Sequence, residues 1–126
     1  MDKHQQIQEV YRNATSYPHL VQGLTALGIL SYTVDTATGT ILYRFAGGEN
    51  LLHASSIDPR SIAPVFNEQK TIQAIRDNQQ KKTDYPGFMN DIAAAGVRFY
   101  EATLEGSHKR VTYIGTGGSY EEAIPV

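Results

Sequence analysis

Tyrosine is the residue type in this chain whose spacing could carry chemistry. Phenol rings stack on flat ligands, and their hydroxyl groups donate and accept hydrogen bonds. Four of the eight tyrosines stand at corresponding points of two predicted hairpins: Tyr32, Tyr43, Tyr100 and Tyr113. The set indicates a stacking platform or a ligand cleft near an internal twofold axis. The alternative is core packing, in which each hydroxyl finds a hydrogen-bond partner at the core margin.

These tyrosines belong to a degenerate internal repeat. Residues 16–55 carry a Tyr-Pro pair, a glycine, two tyrosines and a Gly pair, and residues 84–125 carry the same types in the same order. The matching positions are Tyr17-Pro18 and Tyr85-Pro86, Gly28 and Gly96, Tyr32 and Tyr100, Tyr43 and Tyr113, and Gly47-Gly48 and Gly117-Gly118. The spacing is identical as far as the first strand tyrosine, and the second copy then has two extra residues. We interpret this as duplication of an ancestral segment.

The residue pattern of each copy predicts one helix followed by three strands. Ser16 and Thr83 or Asp84 are suited to cap the two helices, and Gly28 and Gly96 to end them. Runs of β-forming residues follow, over 29–35, 40–46 and 50–55 in the first copy and over 97–104, 109–114 and 119–124 in the second. The prediction is an α+β fold, in which antiparallel strands form one sheet, or two related sheets, with helices on one side. Strand order between the copies does not follow from the pattern.

Two further helices are predicted outside the repeat. Apolar residues at helical spacing indicate an N-terminal helix over 2–14. A segment rich in Gln, Lys and Asp over about 67–80 predicts a solvated linker helix between the copies. Because each copy is too short to fold well alone, the whole chain, 1–126, is expected to form a single domain.

Composition limits the classes of function. The chain has no cysteine, a formal net charge of −2 and a pI near 6.0. It therefore lacks a disulfide framework and a cysteine nucleophile, and the weakly acidic charge argues against nucleic acid as a partner. The polar N-terminus and the lack of a long apolar run predict neither a signal peptide nor a membrane span. We expect a cytoplasmic protein without a cofactor.

No residue pattern identifies a catalytic centre or a metal site. The four histidines, His4, His19, His53 and His108, fall in different predicted elements and are not at metal-ligand spacing from one another. The least improbable acid–base set is Glu101, His108 and either Glu121 or Glu122, near the second hairpin. Catalysis there would require these side chains to converge. Surface or ordinary hydrogen-bonded roles are the alternative, and the catalytic residues stay unknown.

Three further motifs have plain structural interpretations. Gly115-Thr116-Gly117-Gly118 resembles half of a dinucleotide-binding fingerprint, but no helix follows it, so tight turns are the interpretation. Lys81-Lys82 and Lys109-Arg110 are short basic pairs, which we interpret as solvated surface charge rather than as a contact for a phosphate backbone. The two Tyr-Pro pairs mark either recognition loops or rigid helix starts with the tyrosine packed on the sheet.

A resemblance to a known family rests on the second copy. Asp84-Tyr85-Pro86-Gly87-Phe88, then Ile92-Ala93-Ala94-Ala95-Gly96-Val97, Tyr100 and Thr112-Tyr113 resemble the YbcV-like family of small, uncharacterised bacterial proteins. Some members carry the label "phage envelope protein". The resemblance implies a bacterial protein with a domain of unknown function, and it transfers no catalytic residue. Arg98-Phe99 and the longer loop over 105–108 depart from the family pattern, which puts any shared ligand in doubt.

Two functions remain open at this point. The first is a non-enzymatic module that binds another protein or a second copy of itself, because short hairpin units leave sheet edges that invite pairing. The alternative is a small-molecule binder or an enzyme, with a cleft between the two copies lined by the strand tyrosines.

Overall fold

The computed structural model describes residues 2–55 and 57–125. In this part of the chain, four helices and six strands follow one another in two similar runs. The first run is α1 (Lys3–Asn13), α2 (Tyr17–Ala26), β1 (Ile29–Asp35), β2 (Ile41–Phe45) and β3 (Asn50–His53). The second run is α3 (Glu68–Gln79), α4 (Tyr85–Ala94), β4 (Val97–Thr103), β5 (Arg110–Gly115) and β6 (Gly118–Ala123).

All six strands form one antiparallel sheet in the order β3-β2-β1-β4-β5-β6. The predicted α+β fold with an antiparallel sheet is confirmed. Strands β1 and β4 meet at the centre, where Val34 lies opposite Tyr100. The first run therefore fills one half of the sheet and the second run fills the other, which the sequence alone did not establish.

Side-chain caps fix where the helices begin. The Ser16 hydroxyl accepts a hydrogen bond from the backbone N–H of His19 at 3.2 Å, and the Asp84 carboxylate accepts one from Gly87 at 2.8 Å. Each bond satisfies a backbone donor that the first helical turn leaves free. Pro18 and Pro86 stand in the first turns, where a missing N–H costs little. The first turns of α2 and α4 are thus built in the same way.

The core lies between the helices and one face of the sheet. Direct partners on neighbouring strands point to the same face of the sheet. Those that point toward the helices are buried together with the apolar stripes of all four helices. The buried strand residues are Ile29, Tyr32, Val34, Tyr43, Phe45, Val97, Tyr100, Ala102, Val111 and Tyr113. The opposite face carries polar and charged side chains such as Thr33, Arg44 and Glu101.

Helix α3 differs from the solvated linker helix that its composition predicts. Thr71, Ala74 and Ile75 are buried, and the helix packs against α4. A stripe of small and apolar residues is enough to bury one face, so solvation is confined to the other. The sequence separation between Ile7 of α1 and Ile75 of α3 equals that between Tyr17 and Tyr85. Helix α3 therefore has the same place in the second run as α1 has in the first. Both runs thus contain a helix pair, whereas the duplication itself stays a prediction.

The ends of α2 and α4 have unlike surroundings. Gly28 and Gly96 follow these helices at φ angles of 90° and 86°, in the left-handed region that favours glycine. A Cβ atom at Gly28 would meet nothing within 4 Å. At Gly96 it would collide with the backbone of Val65 and Phe66, because the 60–67 segment crosses over the helix end.

Alanine substitution at the two glycines tests this packing. We expect Gly28→Ala to lower the free energy of unfolding by about 1 kcal/mol, through backbone strain alone. Gly96→Ala should cost about 2 kcal/mol more, because the neighbouring backbone must also move. Urea denaturation of both variants measures the difference. Equal losses would show that the 60–67 segment does not hold Gly96 in place.

Candidate functional site

A cleft of about 780 Å³ opens between the helices and the centre of the sheet. All four helices contribute to its walls, and its floor is formed by the inward side chains of the strands. Seven tyrosines line it: Tyr11, Tyr17, Tyr32, Tyr43, Tyr85, Tyr100 and Tyr113. The volume lies in the range of clefts that hold small molecules and cofactors.

The four tyrosines singled out in the sequence lie on the floor of this cleft as two cross-strand pairs, which are displaced from each other by two residues along the central strands. Tyr32 is the cross-strand partner of Tyr43, with ring centroids 5.8 Å apart, and Tyr100 is the partner of Tyr113, at 5.3 Å. Their rings are 2–7% exposed. The rings therefore belong to the core, while the same residues line the cleft. Both interpretations of the sequence describe part of the arrangement, and the role in ligand binding stays a prediction.

Tyrosines from the helix starts contact the floor tyrosines through their hydroxyl groups. The hydroxyl oxygens of Tyr17 and Tyr32 lie 2.7 Å apart, and those of Tyr85 and Tyr100 lie 3.2 Å apart. The partners are separated by 15 residues in both cases. Tyr17 and Tyr85 as whole residues are 37% and 49% exposed. They therefore stand at the mouth of the cleft with their hydroxyls directed inward.

A third hydroxyl pair lies at the β2 side of the cleft, where Tyr11 of α1 meets Tyr43 at 3.1 Å. Sequence reasoning did not assign Tyr11, Tyr17 or Tyr85 to a site. The equal spacing of Tyr17 to Tyr32 and of Tyr85 to Tyr100 was the signal that could have joined the helix tyrosines to the strand tyrosines. Tyr11 has no tyrosine counterpart in the second run, so repetition gave no hint of it.

The cleft keeps its phenols protonated. Burial raises the pKa of Tyr17 to about 12, and the hydrogen bond with Tyr32 offsets part of that rise. Burial also raises the pKa of Tyr32 and Tyr100 well above the ordinary value, and negative charge on a neighbouring tyrosine would raise it further. A buried phenol near other phenols resists ionisation because the charge loses its hydration. At neutral pH these groups are hydrogen-bond donors rather than bases.

The β6 side of the cleft carries a compensated charge. One oxygen of Glu122 accepts hydrogen bonds from Arg76 at 2.8 Å and from Gln79 at 3.1 Å, and the other accepts one from Tyr120 at 2.7 Å. Burial alone would raise the pKa of Glu122, but these bonds hold it below its ordinary value. Glu122 is therefore an ionised carboxylate whose charge is balanced by Arg76.

A family model for proteins of unknown function, DUF1398, matches residues 5–120. The chain belongs to the DUF1398 family. A search of curated proteins found no match to it. The matched range contains all seven cleft tyrosines, so the DUF1398 domain includes the whole tyrosine floor and the mouth of the cleft. The family description assigns neither an activity nor a ligand.

The acid–base set considered from the sequence does not converge in the DUF1398 domain. His108 Nε2 lies 3.0 Å from a carboxylate oxygen of Glu121, which also forms an ion pair with Arg110 Nε at 3.3 Å, on the face of the sheet away from the helices. Glu122 is adjacent in sequence, and strand alternation turns it to the cleft face instead. Glu101 pairs with Arg44 nearer the sheet centre. Glu101, His108 and Glu121 form ion pairs on the outer face, and Glu122 forms a separate one at the cleft, which is the ordinary role left open for them.

The glycine motif over 115–118 lies away from the cleft, whereas two of the histidines line it. Gly115 and Gly118 flank a tight turn between β5 and β6 and pack against the ring of Phe66. His4 and His53 both line the cleft, with ring centroids 6.5 Å apart. Within residues 2–55 and 57–125, no three histidines or carboxylates are grouped as metal ligands. No helix in the same ranges is both long and apolar enough to cross a bilayer.

Alkaline pH should weaken the DUF1398 fold through its cleft tyrosines. Below about pH 10 the phenols are protonated in both the folded and the unfolded chain, so they cause no change in the free energy of unfolding with pH. Above it, the unfolded chain releases phenol protons that the folded chain retains, so the free energy of unfolding falls as pH rises toward the native pKa of about 12 for Tyr17. Urea denaturation at several pH values between about 9 and 11.5 measures this slope.

The double variant Tyr17→Phe/Tyr32→Phe is the control for this titration, because it removes two of the shifted groups and should flatten the slope. Phenolate absorbance of the folded protein gives a direct check. Titration of all eight tyrosines near pH 10 in the native state would contradict the buried hydroxyl pairs.

Proposed function

We propose that this DUF1398 chain binds a small molecule in the tyrosine-lined cleft. The observation that carries the proposal is the joint arrangement of a 780 Å³ cleft and seven tyrosines around it. Apolar walls with a few convergent hydrogen-bonding groups are the usual construction of a small-molecule site. Tyr17 and Tyr85, which stand partly exposed at the mouth, would be the first side chains that an entering ligand meets.

Binding without catalysis fits the chemistry of the cleft better than an enzymatic role does. Glu122 is the one carboxylate among the described lining residues, and three donors already engage it. The phenols, with their raised pKa values, do not act as bases at neutral pH. This supports the non-enzymatic interpretation of the sequence and joins it to the small-molecule alternative.

Self-association is a second candidate. Strands β3 and β6 are the outer strands of the sheet, and each has one unpaired edge within the described residues. Leu52 of β3 is 57% exposed and lies on the face away from the helices. Open edges of this kind favour pairing with a second strand. Light scattering at micromolar concentration distinguishes a homodimer from a monomer.

The finer assignments from the sequence are proposals as well. The resemblance to the YbcV-like proteins supports a bacterial origin, and the absence of cysteine is compatible with a cytoplasmic location. The label "phage envelope protein" comes with that resemblance alone. A cytoplasmic small-molecule binder is the form of the proposal that fits these observations together.

Blocking the cleft tests the proposed function. Leu51 faces the cleft from β3, and Leu52, the next residue, faces the opposite side of the sheet. Nile red is a neutral polycyclic dye whose fluorescence rises in apolar surroundings. We expect saturable binding of one dye per chain, a loss of at least about 10-fold in affinity for Leu51→Trp, and little change for the matched variant Leu52→Trp.

Fluorescence titration of the wild-type protein and both variants gives the three affinities. The thermal midpoints show whether each variant remains folded. Dye binding that is absent, or equally strong in Leu51→Trp and Leu52→Trp, would contradict a binding role for the cleft.

A further inference from the structure

We propose that the cleft selects a neutral, flat, elongated molecule that carries carbonyl-type acceptors toward both ends. This inference rests on the proposed function and specifies the chemical class of the ligand. Three observations lead to it: the count of hydroxyl donors, their positions across the strands, and the balance of charge around the cleft.

The hydroxyl pairs leave donors unused. A phenol has one O–H donor, so in a pair one hydroxyl donates to the other and the second O–H still needs an acceptor. The pairs Tyr11–Tyr43, Tyr17–Tyr32 and Tyr85–Tyr100 therefore each present one spare donor. The Tyr113 hydroxyl makes no hydrogen bond to another described residue and is not among the buried atoms that lack a partner, so it reaches the open space of the cleft and adds a fourth donor.

These donors are spread across four neighbouring strands. Tyr43, Tyr32, Tyr100 and Tyr113 belong to β2, β1, β4 and β5, which are adjacent in the sheet in that order. Neighbouring strands lie about 4.8 Å apart, so the row spans about 14 Å across the strands, and the two-residue offset between Tyr32 and Tyr100 makes it oblique to them. A ligand that lies along the row meets a donor near each end and others between them. This favours an elongated molecule of several fused rings over a compact one.

The charges around the cleft favour a neutral ligand. Among the described lining residues, Glu122 is the one carboxylate, and Arg76 balances it. His4 and His53 lie toward the β3 side, away from Glu122. A charged ligand would give up its hydration without gaining an opposite charge. A neutral ligand gives up less and still receives the hydroxyl donors.

The spare donors favour carbonyl oxygens over hydroxyl groups. A buried O–H without an acceptor costs more than a lone pair without a donor. A carbonyl oxygen accepts up to two hydrogen bonds and brings no proton of its own. A ligand hydroxyl adds a further donor to a cleft that already has donors to spare. Flat rings match the aromatic floor, on which they can stack.

Three steroids separate these requirements on similar skeletons. Progesterone is neutral and has carbonyl groups toward both ends, allopregnanediol has hydroxyl groups in their place, and lithocholate carries a carboxylate. Each competes with Nile red for the wild-type protein. We expect progesterone to bind at least about 10-fold more tightly than either of the others.

Paired substitutions test the donor count itself. Tyr85→Phe leaves the Tyr100 hydroxyl free to donate, so the affinity for progesterone should fall by no more than about 3-fold. Tyr85→Phe/Tyr100→Phe removes the donor and should cost about 10-fold. Both hydroxyls of the pair are lost together, so the fold should be little affected. Tyr17→Phe/Tyr32→Phe repeats the test in the other half, and Thr33→Val on the opposite face of β1 is the control.

The outcomes separate the two proposals. The inference is supported if progesterone binds more tightly than the other two steroids and the larger loss of affinity for it occurs only in the double variants. A different result is that allopregnanediol or lithocholate binds as tightly as progesterone, or more tightly, while Nile red binding depends on Leu51. That result overturns the ligand class and leaves the cleft as a binding site. Equal losses for the single and double variants also overturn it. Absence of cleft-dependent dye binding overturns both proposals.

Discussion

The hydrogen bonds between tyrosine hydroxyls are the interaction on which the cleft depends. Tyr17–Tyr32 and Tyr85–Tyr100 each connect the first turn of a helix to a central strand. A phenol is a rigid spacer with a polar end, so two phenols that meet through their hydroxyls hold the helix start away from the strand. Shorter apolar side chains would instead let the helix settle onto the sheet and close the gap. The same pairs therefore account for the buried rings and for the open space between them.

Much of the fold could be predicted from the sequence, because its signals are local. Ser16 and Asp84 mark helix starts, Gly28 and Gly96 mark helix ends, and alternation marks the strands. The strand order depends on the pairing of β1 with β4, which joins residues distant in the chain and has no local signal. The burial of α3 was missed because a short stripe around Ala74 and Ile75 is hidden among polar residues.

The candidate site was predicted in part. The floor tyrosines could be named because their spacing repeats, and β alternation places them on one face. Tyr11 could not be named, and Glu122 was named only as a candidate for acid–base chemistry, because their contacts occur in one half only and depend on how α1 and α3 approach the sheet edges. The two halves thus differ where the cleft ends. The central tyrosines supply similar donors in both halves, while the ends offer a phenol pair on one side and a balanced ion pair on the other.

A double-mutant cycle on Tyr85 and Tyr100 measures the strength of one of these hydroxyl pairs. The claim is that the two hydroxyls bond to each other and hold α4 above β4. Urea denaturation of the wild type, Tyr85→Phe, Tyr100→Phe and the double variant gives the coupling free energy. We expect a favourable coupling of about 0.5–1.5 kcal/mol, with the double variant close to the wild type in stability. Additive effects, with a coupling below about 0.3 kcal/mol, would contradict it.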